Sequence, residues 1–256
     1  MANYIPPEIW TWDKESGGKF ADINRPVAGK THEKILPVGK HPLQLYSLAT
    51  PNGVKATIML EELLALGNEG AEYDAHLIKI SGAQFSSGFV SLNPNSKIPV
   101  LLDNSTNPST RIFESGAILI YLGEKSNKFY EQKDRTKINQ WLMAQMAYVG
   151  PMLGQHHQFH RYNSGKDKWG EERYFKITKT IYGDLDERLA QSKYLAGENY
   201  SIADIATFPW IARHDWHDIG LKNFKNLTRW YLEIANRKTV IKGYDLLKNG
   251  SQVPKP

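Results

Sequence analysis

A Thr-Pro-Asn-Gly turn at residues 50–53 is the first segment whose side chains could do chemistry. It joins an apolar strand pattern at Leu43–Leu48 to an apolar helical pattern that begins at Val54. The start of a helix presents unpaired N–H groups and the positive end of the helix dipole, so it stabilises an anion. The Thr50 hydroxyl and the Asn52 amide could hydrogen-bond a thiolate there and lower its pKa. Both are also ordinary cap and turn residues, and that structural interpretation stays open.

A second motif, Lys97-Ile98-Pro99-Val100, lies at the entry to an apolar strand pattern. An X-Pro bond at such a point is a candidate for the cis form. The N–H and C=O groups of Ile98 would then be available to pair with an extended peptide ligand. The alternative interpretation is a simple turn before the strand.

A third motif, Glu114-Ser115, lies where a helical pattern begins. The Ser115 hydroxyl and N–H could hold a carboxylate, and the Glu114 carboxylate could accept a hydrogen bond from a ligand ammonium. The alternative is a helix cap followed by an apolar helix. Like the first two motifs, this one lies at a strand end or a helix start, where open α/β sheets bind ligands.

Histidines form two further clusters in the C-terminal half of the chain. His156 and His160 are four residues apart, a spacing that could place two imidazoles on one helical face for a metal ion. No acidic residue lies within residues 155–163, although acids lie beside His214 and His217. We therefore predict no metal site, and interpret the histidines as polar lining of a substrate pocket or as a solvated face. The nearby aromatic residues are either core or a wall for an apolar co-substrate: Phe159, Tyr162, Trp169 and Tyr174.

Composition limits which of these chemistries the chain can perform. It has 256 residues and no cysteine. A disulfide framework, a cysteine-ligated metal and a protein thiolate nucleophile are therefore excluded. Any thiol chemistry would have to use a thiol supplied from outside.

Charge and hydropathy limit the classes of partner that the chain is expected to bind. The formal charge is +5, from 32 Lys and Arg against 27 Asp and Glu, and the basic residues are scattered along the chain. No nucleic-acid partner is expected from such a pattern. Apolar stretches such as Ile118–Leu122 are far shorter than the ~20 residues of a membrane span, and the first residues lack the features of a signal peptide. We expect a soluble cytoplasmic protein with no membrane partner.

The chain divides into three regions that differ in composition and in hydrophobic pattern. Residues 1–42 are rich in Pro, Gly and Lys, and form an arm that packs over a surface or a partner subunit. Residues 43–126 alternate strand and helix patterns in the thioredoxin-like order, and residues 134–256 are helical throughout. Ser201–Asp204 forms a variant capping box before an apolar helix. The helical patterns are these: Lys137–Val149, Glu171–Gln191, Ile202–Ile211, Phe224–Arg237 and Val240–Lys248.

Together the segments YSLATPNG, NPNSKIPVL, FESGAILIYL and SIAD resemble the cytosolic glutathione transferases. The similarity is closest to the Nu class, which has glutathione-dependent disulfide reductase activity, and to the related fungal nitrogen-regulation proteins. It extends over nearly the whole chain, because the WTWDKESGGKFADINRP arm also resembles the Nu-class N-terminal extension. The resemblance implies an N-terminal thioredoxin-like domain, an all-helical C-terminal domain and a homodimer.

The resemblance also implies a set of glutathione-binding residues. Thr50 and Asn52 would face the glutathione sulfur as the catalytic residues, and Glu114 with Ser115 would hold the γ-glutamyl end. The other implied contacts to this glutathione are Asn24, Pro51, Gln84, Lys97 and Ile98. Nu-class relatives hold a second glutathione beside the first, and the residues near the matching positions are Gln145 and Arg173.

These observations predict an enzyme that reduces small disulfides by exchange with bound glutathione. A transferase or peroxidase acting on organic electrophiles or hydroperoxides is the nearest variant, and a non-catalytic glutathione-binding regulator is a second alternative. A purely structural helical protein would leave the three motifs unexplained. Tyr46, within the first strand, is an alternative thiol-activating hydroxyl, although the strand pattern makes it a packing residue.

Overall fold

The computed structural model describes residues 5–11, 28–248 and 250–256. Asn24, which the family resemblance assigns to the ligand, lies outside these ranges.

A four-stranded sheet with the order β2-β1-β3-β4 forms the first half of the fold. β2 is parallel to β1, while β3 is antiparallel to β1 and β4 is antiparallel to β3. The β-α-β then β-β-α order predicted from the sequence is confirmed. The elements are β1 (Leu43–Ser47), α1 (Gly53–Ala65), β2 (Tyr73–Leu77), α2 (Ser87–Leu92), β3 (Val100–Asp103), β4 (Thr110–Phe113) and α3 (Ser115–Ser126).

The second half of the fold is helical, as predicted. A π-helical turn at Gln145–Val149 joins the first two helices, and another at His157–Tyr162 follows the second. In the part of the chain described, no helix is both long and apolar enough to cross a membrane. The helices are α4 (Arg135–Ala144), α5 (Gly150–His156), α6 (Lys168–Ala190), α7 (Ile202–Ile211), α8 (His214–His217), α9 (Lys225–Ala235) and α10 (Lys238–Asp245).

Helix α1 lies at the junction of the two halves, and every residue from Gly53 to Leu63 is buried. It packs against α10, where Thr57 Oγ1 donates to the Gly243 carbonyl at 2.6 Å. Its buried Glu62 accepts two hydrogen bonds from Arg237, with Nε at 2.6 Å. Charge-assisted, bidentate contacts of this kind are among the stronger polar interactions in proteins. The helix that begins at the Thr-Pro-Asn-Gly turn is therefore held by polar contacts to α10 and to the residue that precedes it.

Helix α7 begins at the predicted capping box. Ser201 Oγ accepts from the first-turn backbone, and Asp204 Oδ2 accepts from the Ser201 N–H at 3.0 Å. All ten residues of α7 are buried. The capping box satisfies helix-end donors that would otherwise be lost inside the protein. This helix supplies Trp210 to the site described below.

Residues 150–162 are helical, as is predicted for residues 134–256 as a whole, although none of the five helical patterns in the sequence covers them. Gly150, Pro151 and Gly154 argue against a helix by their propensities. Pro151 nevertheless lies in the first turn of α5, the part of a helix that tolerates proline best. The π-helical turns immediately before and after α5 change the pattern of backbone hydrogen bonds at its two ends.

The arm runs over the N-terminal half of its own chain between residues 28 and 42. The Thr31 N–H donates to the Phe85 carbonyl at 2.9 Å, and the Ser87 N–H donates to the His32 carbonyl at 2.9 Å. Because these bonds are made by backbone groups, the arm follows the segment leading into α2 like an added strand. Within residues 28–42 the arm thus contacts its own chain, and its packing over a surface or a partner subunit stays a prediction.

Candidate functional site

The turn before α1 holds Thr50 with its hydroxyl hydrogen available to a ligand. Thr50 Oγ1 accepts from the Gly53 N–H at 3.1 Å, and the Thr50 carbonyl accepts from the Val54 N–H at 3.0 Å. A Cβ at Gly53 would lie 1.8 Å from the Leu48 carbonyl oxygen, so only glycine allows the turn to close this tightly. The hydroxyl oxygen therefore caps the helix, and its hydrogen remains to be donated.

Asn52 is oriented by a side chain from the other half of the fold. Trp210 Nε1 donates to Asn52 Oδ1 at 3.0 Å. An indole N–H is a donor only, so the amide atom facing it must be the oxygen. The Asn52 NH₂ group consequently points away from the indole, as a donor at the pocket that Asn52 lines.

Two pockets flank this helix start, and Gly154 and Trp210 line both of them. The first, called here the Asn52 pocket, has a volume of about 360 Å³ and includes Asn52, Glu114, Gln145 and Met146. The second, the Thr50 pocket, has a volume of about 420 Å³ and includes Thr50, Pro51, His157, Tyr162, Arg213 and Trp216. The arrangement offers space for two groups on either side of one pair of hydrogen-bond donors.

A buried lysine, Lys55, lies behind the wall of the Asn52 pocket. Lys55 Nζ donates to Gln145 Oε1 at 2.5 Å and to Ser115 Oγ at 3.2 Å. Burial lowers the pKa of Lys55 to about 7, and the Glu114 carboxylate opposes that shift. Met146 Sδ lies 3.4 Å from the same nitrogen. The serine predicted to bind a ligand carboxylate thus contacts a lysine that is only partly charged near neutral pH.

Glu114 is held in an unusual backbone conformation at the start of α3. Its φ is 73°, in the left-handed region that residues other than glycine rarely adopt. Such conformations cost about 1–3 kcal/mol and concentrate at ligand sites. The exposed Glu114 carboxylate and the buried Ser115–Lys55 pair would together complement a ligand group that carries both an ammonium and a carboxylate.

The structure brings some of the predicted residues together and leaves others apart. Thr50, Pro51, Asn52, Glu114 and Gln145 line the paired pockets. The buried Ser115 adjoins the Asn52 pocket through Met146, whose Sδ lies 3.7 Å from Ser115 Oγ.

Ile98 and its neighbours lie at the entry to β3, where the Ile98–Pro99 bond, a candidate for the cis form in the sequence, is cis. No main-chain hydrogen bond joins Ile98 to the rest of residues 28–248. Lys97 is exposed, and its carbonyl accepts from Asn93 Nδ2 at 2.7 Å. The main chain of Ile98 is therefore open to an extended ligand.

Gln84 and Arg173 contribute to neither pocket wall. Gln84 is buried, with its Nε2 donating to the Ile80 carbonyl at 2.6 Å and its Oε1 accepting from the Gly82 N–H at 2.9 Å. Arg173 is exposed on α6, with its guanidinium carbon 5.5 Å from the centroid of the Trp169 ring. Their assignment to glutathione remains a prediction.

Tyr46 is a packing residue. It is buried, its hydroxyl donates to the Pro37 carbonyl at 2.8 Å, and its ring stacks on His76 at 4.9 Å. Because it lines neither pocket, the structure favours the packing interpretation over thiol activation.

The histidine clusters meet in space, because His156 and His157 approach His217 across the bundle. Across the described residues there is no group of three or more His, Cys, Asp or Glu side chains arranged to hold a metal ion. His157 lines the Thr50 pocket, as do Tyr162 and Trp216. Trp169 is exposed, and Phe159 stacks on Tyr174 at 5.2 Å.

Sequence reasoning missed Lys55 and Trp210. Lys55 follows Asn52 by three residues, which places both at the start of one helix, and it is a charged residue within an apolar pattern. Those two signals could have identified it. Trp210 lies 158 residues from Asn52, and nothing in the local sequence of α7 indicates that contact.

Comparison with known proteins gives two family matches. The model described as "Glutathione S-transferase, N-terminal domain" matches residues 41–124. The model described as "Glutathione S-transferase, C-terminal domain" matches residues 146–238. Together these matches cover most of the chain, including the three sequence motifs and α7.

Individual proteins are similar over greater lengths. Disulfide-bond oxidoreductase YghU of Escherichia coli is 50% identical over 252 residues, which cover 94% of this chain and 87% of the relative. A glutathione transferase YghU from Streptococcus pneumoniae, solved in complex with glutathione, has a TM-score of 0.89 and 39% identity, covering 98% of this chain and all of the other. A glutathione transferase from Burkholderia graminis with two glutathione molecules bound per subunit has a TM-score of 0.75 and 40% identity, over 82% and 90% of the two chains.

Proposed function

The chain belongs to the glutathione S-transferase family, and from that premise we propose that it is a glutathione-dependent disulfide-bond oxidoreductase acting on small disulfides. The observation that carries the proposal is the helix start at which Thr50 and Asn52 present donors between two pockets. The similarity to a disulfide-bond oxidoreductase along nearly the whole chain supports the same activity.

In the proposed complex, glutathione lies in the Asn52 pocket. Ser115 and Glu114 hold its γ-glutamyl end, with the Lys55 ammonium reinforcing the hold on the carboxylate. Ile98 pairs with the peptide backbone of glutathione, and Thr50 and Asn52 donate hydrogen bonds to the sulfur. These donors and the dipole of α1 favour the thiolate, which is the attacking species in disulfide exchange.

The remaining proposed contacts follow the family resemblance. Asn24, Pro51, Gln84 and Lys97 complete the first glutathione site. The residues proposed for a second glutathione are Gln145 and Arg173. The Burkholderia graminis relative, with two glutathione molecules per subunit, supports a two-glutathione site.

The reaction balances with sulfur atoms that all belong to ligands. The thiolate of one glutathione attacks the disulfide, forming a mixed disulfide and releasing one thiolate. A second glutathione attacks the mixed disulfide, giving glutathione disulfide and the second thiolate product. The protein contributes alignment of the sulfurs and stabilisation of thiolate charge, because it has no cysteine of its own.

We further propose that the enzyme is a cytoplasmic homodimer that needs no metal ion. A cytoplasmic location fits the reducing glutathione pool on which the reaction depends. Light scattering coupled to size exclusion tests the dimer directly, since a monomeric mass at micromolar concentration would contradict it.

A coupled assay tests the activity. The purified protein is mixed with glutathione and hydroxyethyl disulfide, and glutathione disulfide is followed with glutathione reductase. We expect turnover that the Thr50→Ala/Asn52→Ala variant loses, whereas Asn104→Ala, which alters an exposed loop, retains it.

Three results would contradict the proposal. Glutathione binding by calorimetry without turnover would indicate a binding protein instead. Faster turnover of an organic electrophile or a hydroperoxide would indicate a transferase or peroxidase. Turnover unaffected by the double substitution would contradict the assignment of Thr50 and Asn52.

A further inference from the structure

Three buried side chains form a hydrogen-bonded row that ends at the Thr50 pocket. His157 Nε2 lies 2.8 Å from His217 Nε2, and His217 Nδ1 lies 2.7 Å from the Tyr182 hydroxyl. All three side chains are buried, and they come from three different elements: the second π-helical turn, α8 and α6. Nothing in the glutathione site described above uses this row.

The distances leave the direction of each hydrogen bond open, so we assign the protons by requiring that every buried donor has a partner. The Tyr182 hydroxyl has His217 Nδ1 as its partner within the described residues, so its O–H donates to that nitrogen. His217 then carries its own proton on Nε2 and donates to His157 Nε2. His157 must consequently carry its proton on Nδ1.

The electrostatic environment keeps both imidazoles neutral. Burial lowers the pKa of His157 to about 3, and the nearby Arg213, His156 and Arg161 add to the shift. Burial also holds the pKa of His217 well below its ordinary value, and burial raises that of Tyr182. At neutral pH all three side chains are therefore uncharged. Each hydrogen bond in the row is donated in the direction from Tyr182 to His157.

The outer end of the row faces the Thr50 pocket. His157 lines that pocket together with Thr50 and Arg213. Its Nδ1 has no hydrogen-bond partner among the described residues. This nitrogen is not fully sealed from solvent. The ring is also fixed by stacking on Trp210, at 5.8 Å between centroids. A fixed N–H thus belongs to the wall of the pocket that Thr50 and Pro51 also line.

We propose that His157 donates a hydrogen bond from Nδ1 to the sulfur that departs during disulfide exchange, with His217 and Tyr182 as positioning residues that fix its tautomer. This inference rests on the proposed disulfide oxidoreductase activity. The glutathione thiolate forms a new S–S bond with one sulfur of the substrate, and the other sulfur leaves with the electron pair of the broken bond. His157 stabilises that thiolate by hydrogen bonding and keeps its own proton. The thiolate takes a proton from water after release.

The role makes a prediction that a merely structural row does not. Stabilisation of the departing thiolate matters most when the leaving thiol has a high pKa, because leaving-group ability follows that pKa. An alkyl disulfide such as hydroxyethyl disulfide needs the hydrogen bond. An aromatic disulfide such as dipyridyl disulfide, whose thiolate leaves readily, needs it much less.

The experiment compares the two substrates in matched variants. For His157→Phe, kcat/KM should fall by roughly tenfold to a hundredfold with hydroxyethyl disulfide, since a hydrogen bond to a charged group has about that effect. The same variant should change kcat/KM by at most about threefold with dipyridyl disulfide. His157→Gln, which keeps an N–H donor, should recover part of the loss on the alkyl substrate. His160→Asn, outside the Thr50 pocket, should leave both substrates unchanged.

Tyr182→Phe provides an independent test if His157→Phe fails to fold. It removes the donor that fixes the tautomers, so we expect selective loss on the alkyl disulfide with the glutathione KM unchanged. Equal losses on both substrates in the folded variants would overturn the inference while leaving the oxidoreductase proposal intact. Absence of turnover by the unmodified protein with either substrate would instead overturn the oxidoreductase proposal, and this inference with it.

Discussion

Trp210 Nε1 donates to Asn52 Oδ1 at 3.0 Å across 158 residues of sequence, and the contact fixes which end of the Asn52 amide faces the pockets. Asn52 makes no capping hydrogen bond with its side chain to α1. The orientation of this amide therefore depends on the helical half of the protein. The two halves of the fold are both needed to form one donor pair.

Replacing Trp210 with phenylalanine tests this dependence. The variant keeps an aromatic ring but loses the Nε1 donor, so the Asn52 amide can rotate. We expect kcat/KM for disulfide reduction to fall by about threefold to tenfold, the usual effect of one hydrogen bond. Steady-state kinetics measure the loss, and Trp141→Phe, away from both pockets, is the matched control. Equal kinetics in the two variants would mean that Trp210 does not orient Asn52.

Lys55 makes the stability of the protein depend on pH. Its pKa is about 7 in the folded protein and near the ordinary 10.5 in the unfolded chain. Between these values the unfolded chain binds more protons, so the Lys55 contribution to the free energy of unfolding rises with pH, by up to about 1.4 kcal/mol per pH unit. Below pH 7 both states bind the proton, and the contribution is level.

The measurement compares urea unfolding at pH 7 and pH 9 for the native sequence and for Lys55→Met. We expect the gain in stability between the two pH values to be smaller in Lys55→Met, because an apolar side chain binds no proton. Lys79→Met provides the control for removal of a lysine outside both pockets. An unchanged pH dependence in Lys55→Met would show that Lys55 is not the group responsible.

Glutathione binding should be accompanied by proton uptake at Lys55. A ligand carboxylate placed on Ser115 favours the charged form of the lysine beneath it and raises its pKa. Calorimetry near pH 8 with S-methylglutathione, which has no thiol to ionise, in buffers of different ionisation enthalpy measures this uptake directly. We expect uptake in the native protein and a smaller value in Lys55→Met. Equal uptake in both would exclude Lys55 as the acceptor.

Two glycines in α5 allow a matched test of packing around Gln145. A Cβ at Gly150 would lie 2.6 Å from Gln145 Nε2, whereas a Cβ at Gly154 would meet its nearest neighbour, in Trp210, at 3.4 Å. Gly150→Ala must displace Gln145, the partner of Lys55, so we expect glutathione binding to weaken by roughly tenfold. Gly154→Ala places its methyl at ordinary contact distance from Trp210, so it should weaken glutathione binding less than Gly150→Ala and unfold at the same temperature or higher. Calorimetry measures the affinity for glutathione, and thermal unfolding measures stability. Equal glutathione affinities in the two variants would contradict a role of Gln145 in the glutathione site.

The elements that were predicted correctly carry their information locally. The strand that ends before Thr50, the helix that follows Gly53 and the capping box at Ser201 are each encoded within a few residues. Periodicity and turn chemistry are sufficient to identify such elements.

The features that were missed depend on contacts between distant segments. The helix from residue 150 contains residues of poor helix propensity, and its glycines are explained by the Gln145 and Trp210 side chains that pack against Gly150. Lys55 is interpretable only once Ser115 and Gln145 are known to surround it. The residues at the helix start could therefore be predicted from the sequence. The side chains that orient them, or that lie beside them as a buried charge, could be identified only from the tertiary structure.

Helix α7, all of whose residues are buried, also determines how the site should respond to heating. Buried core helices open to solvent mainly through global unfolding, whereas loops open locally at much lower free energy. Because Trp210 belongs to α7, the backbone amides that exchange hydrogen most slowly should include those of the helix that orients Asn52 in the candidate site. The site should therefore keep its alignment up to the temperature at which the whole protein melts, and activity and fold should be lost together.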